Sequence, residues 1–324
     1  KLHQYYNHEG RNDPLILKIP KGSYEIKFVK RTSNKLSDQL KAFLISKSII
    51  PFLVGSLITL LLAFAIKPFL QEKPLIPVNG LWSDLSKSEQ SCVVVLGDLF
   101  IYTENDTIQY LGRTIRDPFI NSLDQFEKFQ ENDTRTHTVT QPLNYSLMIL
   151  GNVVWIKKLS EIFFSLDKSF TISTVSRFNP KELQNHDFIV IGMMKTLGIF
   201  NAHFHNSNFN FEGDSVLTYT NEIDGTINRF KPTGDPDTYH KDYGYMAKYP
   251  GPNNNTIYYF GGIWDTGASQ SLKNFTDPTL ITQMEDALKD KYGLIPPYYE
   301  VLFEVDGIDR MEVNSRILIL NQRD

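Results

Sequence analysis

The chain has 324 residues, 41% of them hydrophobic and 22% charged, and a net charge of -4. Those proportions exclude a disordered chain, which carries fewer apolar side chains, and a multi-span channel, which carries more. A single cysteine, Cys92, excludes an intramolecular disulfide, so the fold must rest on its hydrophobic core.

The charge is uneven. The first 47 residues are rich in Lys and Arg while the acids concentrate further on, so only the N-terminal part suits a polyanion. The opening Lys1-Leu2-His3-Gln4-Tyr5-Tyr6 reads as the end of a helix, broken by Gly10 and Asn12-Asp13-Pro14. Leu15 to Phe28 reads as two short strands about the turn Pro20-Lys21-Gly22-Ser23. Lys18, Lys21 and Lys27 interleave with Leu15, Leu17, Ile19, Tyr24, Ile26 and Phe28, a pattern that rests a ribbon on a core while offering cations to phosphates. Because residue 1 is Lys rather than Met, the chain is expected to begin inside a longer protein.

The string Tyr5-Tyr6, Glu9-Gly10, Asp13-Pro14, Ile19-Pro20-Lys21-Gly22-Ser23-Tyr24 and Phe28 resembles the end of a winged-helix module of the OmpR and CadC/ToxR regulator type, over about 28 residues. The resemblance implies that residues 1–6 are the tail of a recognition helix. It also implies that Lys18, Lys21, Ser23 and Lys27 belong to the wing and touch DNA in the intact parent protein. The competing reading of residues 1–30 is a plain structural hairpin.

Residues 31–47 form a basic linker, with a short helix expected over 36–47. From Ser48 to Ile66 nineteen residues carry no formal charge, nearly 30 Å of helix at about 1.5 Å per residue. Lys67 can snorkel, so 48–70 is expected to be a transmembrane helix that makes membrane lipid a partner. Lys27, Lys30, Arg31, Lys35, Lys41 and Lys47 precede the span, against Lys67, Lys73 and Lys87 after it. Positive-inside bias then predicts a single-pass protein of the bacterial inner membrane, N-terminus cytoplasmic and large domain periplasmic.

Residues 71–91 read as a connector, with Leu81-Trp82 expected to pack on the domain that follows, 92–324. Apolar runs at Val93 to Leu96, Ser146 to Leu150, Phe188 to Ile191 and Ile257 to Phe260, each ending in Gly or a polar turn, predict parallel strands buried on both faces. Helices are predicted over 152–166 and 278–292, the latter opened by Thr276-Asp277-Pro278. Residues 209–220, 226–230, 298–305 and 311–320 read as antiparallel strands, with a turn at 306–309. The predicted fold class is α/β: a mixed, mostly parallel, three-layer sheet domain. Val95-Leu96-Gly97-Asp98, Arg116-Asp117-Pro118-Phe119-Ile120-Asn121-Ser122 and Gly261-Gly262 to Gly267 resemble extracytoplasmic domains joined to such N-terminal modules in other bacterial membrane proteins. That resemblance bears on architecture and names no activity.

In open α/β sheets, ligands bind outside the carboxyl ends of the strands. This gathers Asp98, Asn152, Met193, Gly262, Asp265, Thr266 and Ser269 as candidate ligand-binding residues, weighed against a role in tight turns. Asp265-Thr266-Gly267 is the triplet of aspartic proteases, but it occurs once, and that chemistry needs two carboxylates. His203 and His205 would share one strand face but lack a third ligand, and no phosphate-binding, dinucleotide-binding or serine-hydrolase motif is present, so no catalytic residue, metal or cofactor is assigned. The functional expectation is a membrane-anchored, signal-sensing transcriptional regulator. It would couple winged-helix DNA binding to an unknown periplasmic ligand, with homodimerisation as one route for the signal. The alternative is a membrane-tethered periplasmic enzyme or binding protein with an adaptor hairpin.

Overall fold

The computed structural model describes residues 1–22, 24–31, 49–70, 80–109 and 111–323, arranged in two compact units, Lys1–Lys73 and Pro74–Asp324. In the first unit, the helix Leu2–Asn7 precedes the antiparallel pair β1 (Leu15–Lys18) and β2 (Lys27–Lys30). Leu17 N–H donates to the Tyr6 hydroxyl at 3.1 Å, and the Arg31 guanidinium donates to the Tyr6 carbonyl at 2.7 Å, tying helix to hairpin. Of residues 1–31, as far as they are described, only Gly10 is buried. The hairpin has no core of its own and needs another surface against its apolar side chains.

The same unit contains the helix Ile49–Leu70. Here the sequence reading is corrected: among the described residues, no helix is long and apolar enough to cross a membrane. The single-pass topology, the inner-membrane location and the periplasmic assignment of the large domain fall with that span. The short helix expected over 36–47 and residues 71–79 of the connector lie outside the described residues.

The second unit is built on an eight-stranded sheet. Its strands are β3 (Cys92–Leu96), β7 (Phe170–Thr174), β8 (Asp187–Met193), β12 (Thr233–Gly234), β13 (Tyr239–Pro250), β14 (Thr256–Gly262), β15 (Tyr299–Ile308) and β16 (Met311–Gln322). They run in the order β16-β15-β13-β14-β8-β3-β7, with β12 paired on β13. Only the β14-β8-β3-β7 half is parallel; β12, β13, β15 and β16 pair antiparallel. Two further antiparallel sheets join β4 (Tyr102–Asp106), β5 (Leu111–Ile115) and β6 (Thr138–Pro142), and β9 (Phe209–Glu212), β10 (Val216–Thr220) and β11 (Ile227–Phe230). The mostly parallel, three-layer expectation is therefore wrong: the domain is mixed α/β with mostly antiparallel pairing.

The reason is β13, a twelve-residue strand in the middle of the sheet that carries His240, Asp242, Gly244 and Lys248. Such residues hide a buried strand from hydropathy. Each of these buried polar side chains instead finds a partner: His240 Nε2 meets Thr266 Oγ1 at 2.8 Å, and Lys248 Nζ meets Asp84 at 2.5 Å beside the Tyr258 and Tyr299 rings. A second correction concerns 146–150. Leu147 forms one isolated bridge to Leu99, and the run leads into the helix Leu150–Ser165, which tertiary packing rather than local pattern starts there.

The sheet is buried on both faces, by unlike layers. One face takes Val94, Ile189, Met246, Tyr258 and Val301 against the helices Leu150–Ser165, Asp265–Lys273 and Pro278–Tyr292 and against Trp82. Trp82 is fully buried, stacks on Tyr258 at 5.0 Å and donates to the Phe275 carbonyl at 2.7 Å, which anchors the connector's end to the domain. The opposite face takes Val93, Val95, Val190, Tyr245 and Tyr259 against the 3-10 segment Gly198–Asn206 and the β9–β10 hairpin. Alternate residues of one strand thus enter opposite cores, as the period of a strand requires.

Candidate functional site

Three elements line a cavity of about 950 Å³, inside the range of small-molecule sites. The first is the helix Leu150–Ser165, whose Leu150, Val154 and Trp155 supply an apolar wall. The second is the helix Asp265–Lys273, set in place by Asp242 on β13. The Asp242 carboxylate is fully buried and accepts backbone N–H groups from Tyr243 at 2.7 Å, Trp264 at 3.1 Å and Gly267 at 2.5 Å. Burial pushes this carboxyl up to about 7, against the pull of those N–H groups. Trp155 Nε1 donates to Ser269 Oγ at 3.0 Å, joining the two helices across the floor.

The third element is the turn between β15 and β16, where Asp309 and Arg310 both hold positive φ, 51° and 57°. Two such residues make the primed turn that a tight hairpin requires, and side chains other than Gly or Asn adopt it at a cost. Here the turn is fixed by Arg310 N–H on the Pro236 carbonyl at 3.0 Å and Arg310 Nε on Asp237 at 2.7 Å. The guanidinium thereby reaches Asp265 at 3.6 Å on the cavity rim, and Lys273 meets Glu312 at 3.4 Å beside it. The result is an apolar trough with an ion-paired rim.

Of the seven ligand-binding candidates, Asp265 and Ser269 line this cavity. The others are committed to the fold. Asp98 accepts from the backbone N–H of Ser176 at 3.0 Å and from its hydroxyl, closing a loop. Asn152 is buried in the first turn of its helix, with Nδ2 at 3.3 Å from the Gly97 carbonyl. The Met193 carbonyl accepts from Thr196 Oγ1 at 2.8 Å, and Thr266 is fully buried against His240. Gly262 packs so tightly that a methyl group there would collide with the Ala268 nitrogen and the Trp264 carbonyl, which leaves no room for a ligand.

Sequence reasoning missed Trp155, Lys273, Arg310, Met311 and Glu312, because they come from separate elements and the hairpin turn is centred on Asp309-Arg310, two residues later than the one expected at 306–309. The Asp-Thr-Gly triplet starts a helix, with Thr266 and Gly267 buried, and the carboxylate of Asp265 meets Arg310 while the neighbouring acid, Asp242, is taken up by backbone N–H groups. His203 and His205 sit on the 3-10 segment, not on a strand; His203 is buried, stacked on Tyr249 at 4.9 Å, and His205 is exposed. Among the described residues, no group of three His, Cys, Asp or Glu is placed to hold a metal. Burial holds the Cys92 thiol protonated, which suits a core residue.

In the N-terminal unit, Lys18 and Lys27 are directly paired across β1 and β2, and both are exposed together with Lys21 in the turn beyond them. Like charges in a cross-strand pair repel. The three cations therefore converge at one end of the hairpin, while Ser23 lies outside the described residues. Comparison of the chain with protein-family models, with characterised proteins and with solved structures finds no match.

Proposed function

We propose that the chain is a ligand-responsive regulator: the unit Pro74–Asp324 binds a small amphiphilic molecule, and the N-terminal hairpin offers cations to nucleic-acid phosphates. The observation that carries the ligand-binding half is the 950 Å³ cavity, which Leu150, Val154, Trp155, Leu272 and Met311 line together with the Arg310–Asp265 and Lys273–Glu312 ion pairs. Leu150 and Met311 remain 80% and 63% exposed there, apolar surface that a bound hydrocarbon or aromatic body would remove from water. The ion-paired rim suits a polar end group, which fixes orientation more than it adds affinity.

The DNA-binding half draws on the resemblance to winged-helix wings and on the Lys18–Lys27 pairing, which a phosphate between the two ammonium groups would relieve. The ligand-binding half is tested by titrating the protein with 8-anilinonaphthalene-1-sulfonate and following its fluorescence. One saturable site is expected, weakened about tenfold or more in Val154→Asp, since a bound apolar body would strip water from a carboxylate at this half-exposed wall position, at a cost of about 1.4 kcal/mol or more. Binding of equal strength in that variant would remove the cavity from the proposal.

A further inference from the structure

A second cavity, of about 370 Å³, lies on the opposite face of the sheet, where four separated segments meet. It is near the lower end of the range of small-molecule sites. Tyr249 near the end of β13 is paired with Ile257 at the start of β14, so both side chains leave the sheet on the same face. The turn between them is braced: Gly251 N–H donates to the Asn255 carbonyl at 2.6 Å, and Asn255 Nδ2 donates to the Leu183 carbonyl at 3.1 Å, which brings the 3-10 turn Pro180–Gln184 alongside. The facing wall is the 3-10 segment Gly198–Asn206, with Ile199 and Phe200 on the cavity. Arg323, just beyond β16, ties that segment's end by donating to the carbonyls of His203 at 3.1 Å and Asn206 at 2.9 Å. Walls held by backbone hydrogen bonds are in place before a ligand arrives, which lowers the cost of binding one.

Tyr249 supplies a polar group that the fold leaves unused. Its ring stacks on His203 at 4.9 Å and 11°, Arg323 Cζ lies 5.4 Å from its centre, and the residue is only 9% exposed. Among the described residues, its hydroxyl makes no hydrogen bond, and it is not sealed from solvent, so it opens on the cavity that its residue lines. A nearly buried hydroxyl without a partner costs free energy that an occupant with a hydrogen-bonding group would recover.

The charge balance of the walls selects the kind of occupant. Arg323 is the one Lys, Arg, Asp or Glu among the lining residues, and its counter-ion is already present: Nη1 lies 3.5 Å from Glu300 Oε2, with both side chains buried. His203 is neutral, since burial lowers its pKa to about 3, and both its ring nitrogens are engaged, on the Phe200 carbonyl and the Tyr245 hydroxyl. An ion entering here would give up its water and meet no free countercharge.

We propose that this cavity is a second binding site, for a small, uncharged, largely apolar compound whose carbonyl or hydroxyl group pairs with the Tyr249 hydroxyl. No residue lines both cavities, so this site does not rest on the first. The test is methyl NMR of the intact protein, isotope-labelled at the isoleucine δ1-methyl groups. It is titrated with benzamide, with benzoate, which has the same outline and a charge, and with toluene, which lacks the polar group. Ile199 and Ile257 report on this cavity and Ile149 on the other, so the two sites are read separately. Benzamide should shift Ile199 and Ile257 saturably, and benzoate should bind there several-fold more weakly. Tyr249→Phe should weaken benzamide several-fold and leave toluene unchanged, the loss of one hydrogen bond. No shift of Ile199 and Ile257 with any of the three would overturn the site. Benzoate binding as strongly as benzamide would overturn the assignment to an uncharged occupant. Unchanged benzamide affinity in Tyr249→Phe, or an equal loss for toluene, would overturn the role of the hydroxyl.

Discussion

His203 and Asp242 show how a buried ionisable side chain writes itself into stability. The His203 imidazole makes two hydrogen-bond contacts, with the Phe200 carbonyl at 2.7 Å and the Tyr245 hydroxyl at 3.2 Å, and burial lowers its pKa from 6.5 to about 3. The unfolded chain therefore binds a proton that the folded chain refuses. Stability from this group is complete above pH 6.5 and is lost as pH falls toward 3. Between pH 7 and 4.5 the loss is on the order of a few kcal/mol, so His203→Gln should be clearly less destabilising at pH 4.5 than at pH 7 in urea unfolding. A constant difference across the two pH values would refute it. Asp242 runs the other way: its raised pKa gives stability at acid pH that is lost as pH climbs through about 7.

Gly262 belongs to the same scale. The collision of a methyl group with two backbone atoms cannot be relieved by turning a side chain, so Gly262→Ala should cost about 3 kcal/mol or more in thermal or urea unfolding. A glycine that looked like part of a ligand cradle is a close approach between a strand end and a helix. Asp98 and Thr266 were read as site residues for the same reason: the sequence shows small polar groups near strand ends without showing which backbone they bond.

Elements were legible where a local signal was sufficient. The helix Pro278–Tyr292 has its cap in Asp277, which accepts N–H groups from Thr279 and Leu280, and ends on Gly293 at a positive φ of 76°. The hairpin β1–β2 was legible from its alternation and turn residues, yet which lysines oppose each other depends on register. Register makes Lys18 and Lys27 neighbours, and this yields a test by mobility shift on duplex DNA across a salt series. If the hairpin binds backbone phosphates, Lys18→Gln and Lys27→Gln should each lower the salt slope by about 1 without changing sequence preference. Binding with an unaltered slope in both would leave the hairpin a structural element. The strand β13 was not legible, because His240, Asp242 and Lys248 are paid for by partners far away in sequence: Thr266, the N-terminus of the helix Asp265–Lys273, and Asp84.

For the molecule as a whole, β13 changed the architecture. Placed between β14 and β15, it turns one half of the sheet antiparallel and sets the β15–β16 hairpin over the two helices that complete the cavity. A ligand held by three separate elements binds only their folded arrangement. At a concentration one hundred times its dissociation constant, 8-anilinonaphthalene-1-sulfonate should therefore raise the unfolding free energy by about 2.7 kcal/mol in chemical denaturation. No increase at saturation would mean that the probe binds the unfolded chain equally well, and the cavity would lose its standing as a site.

The sequence by itself determined the elements whose stability is local: the capped helix, the short hairpins, and the strands Cys92–Leu96, Asp187–Met193 and Thr256–Gly262, whose side chains are apolar on both faces. It also pointed to Asp265 and Ser269. Tertiary structure alone decided which strands run parallel and which buried charges are satisfied. It alone brought Arg310 and Trp155 to one cavity. The physical reason is common to all of these: hydropathy reports the cost of taking a side chain out of water, but not the distant hydrogen bonds and ion pairs that offset it.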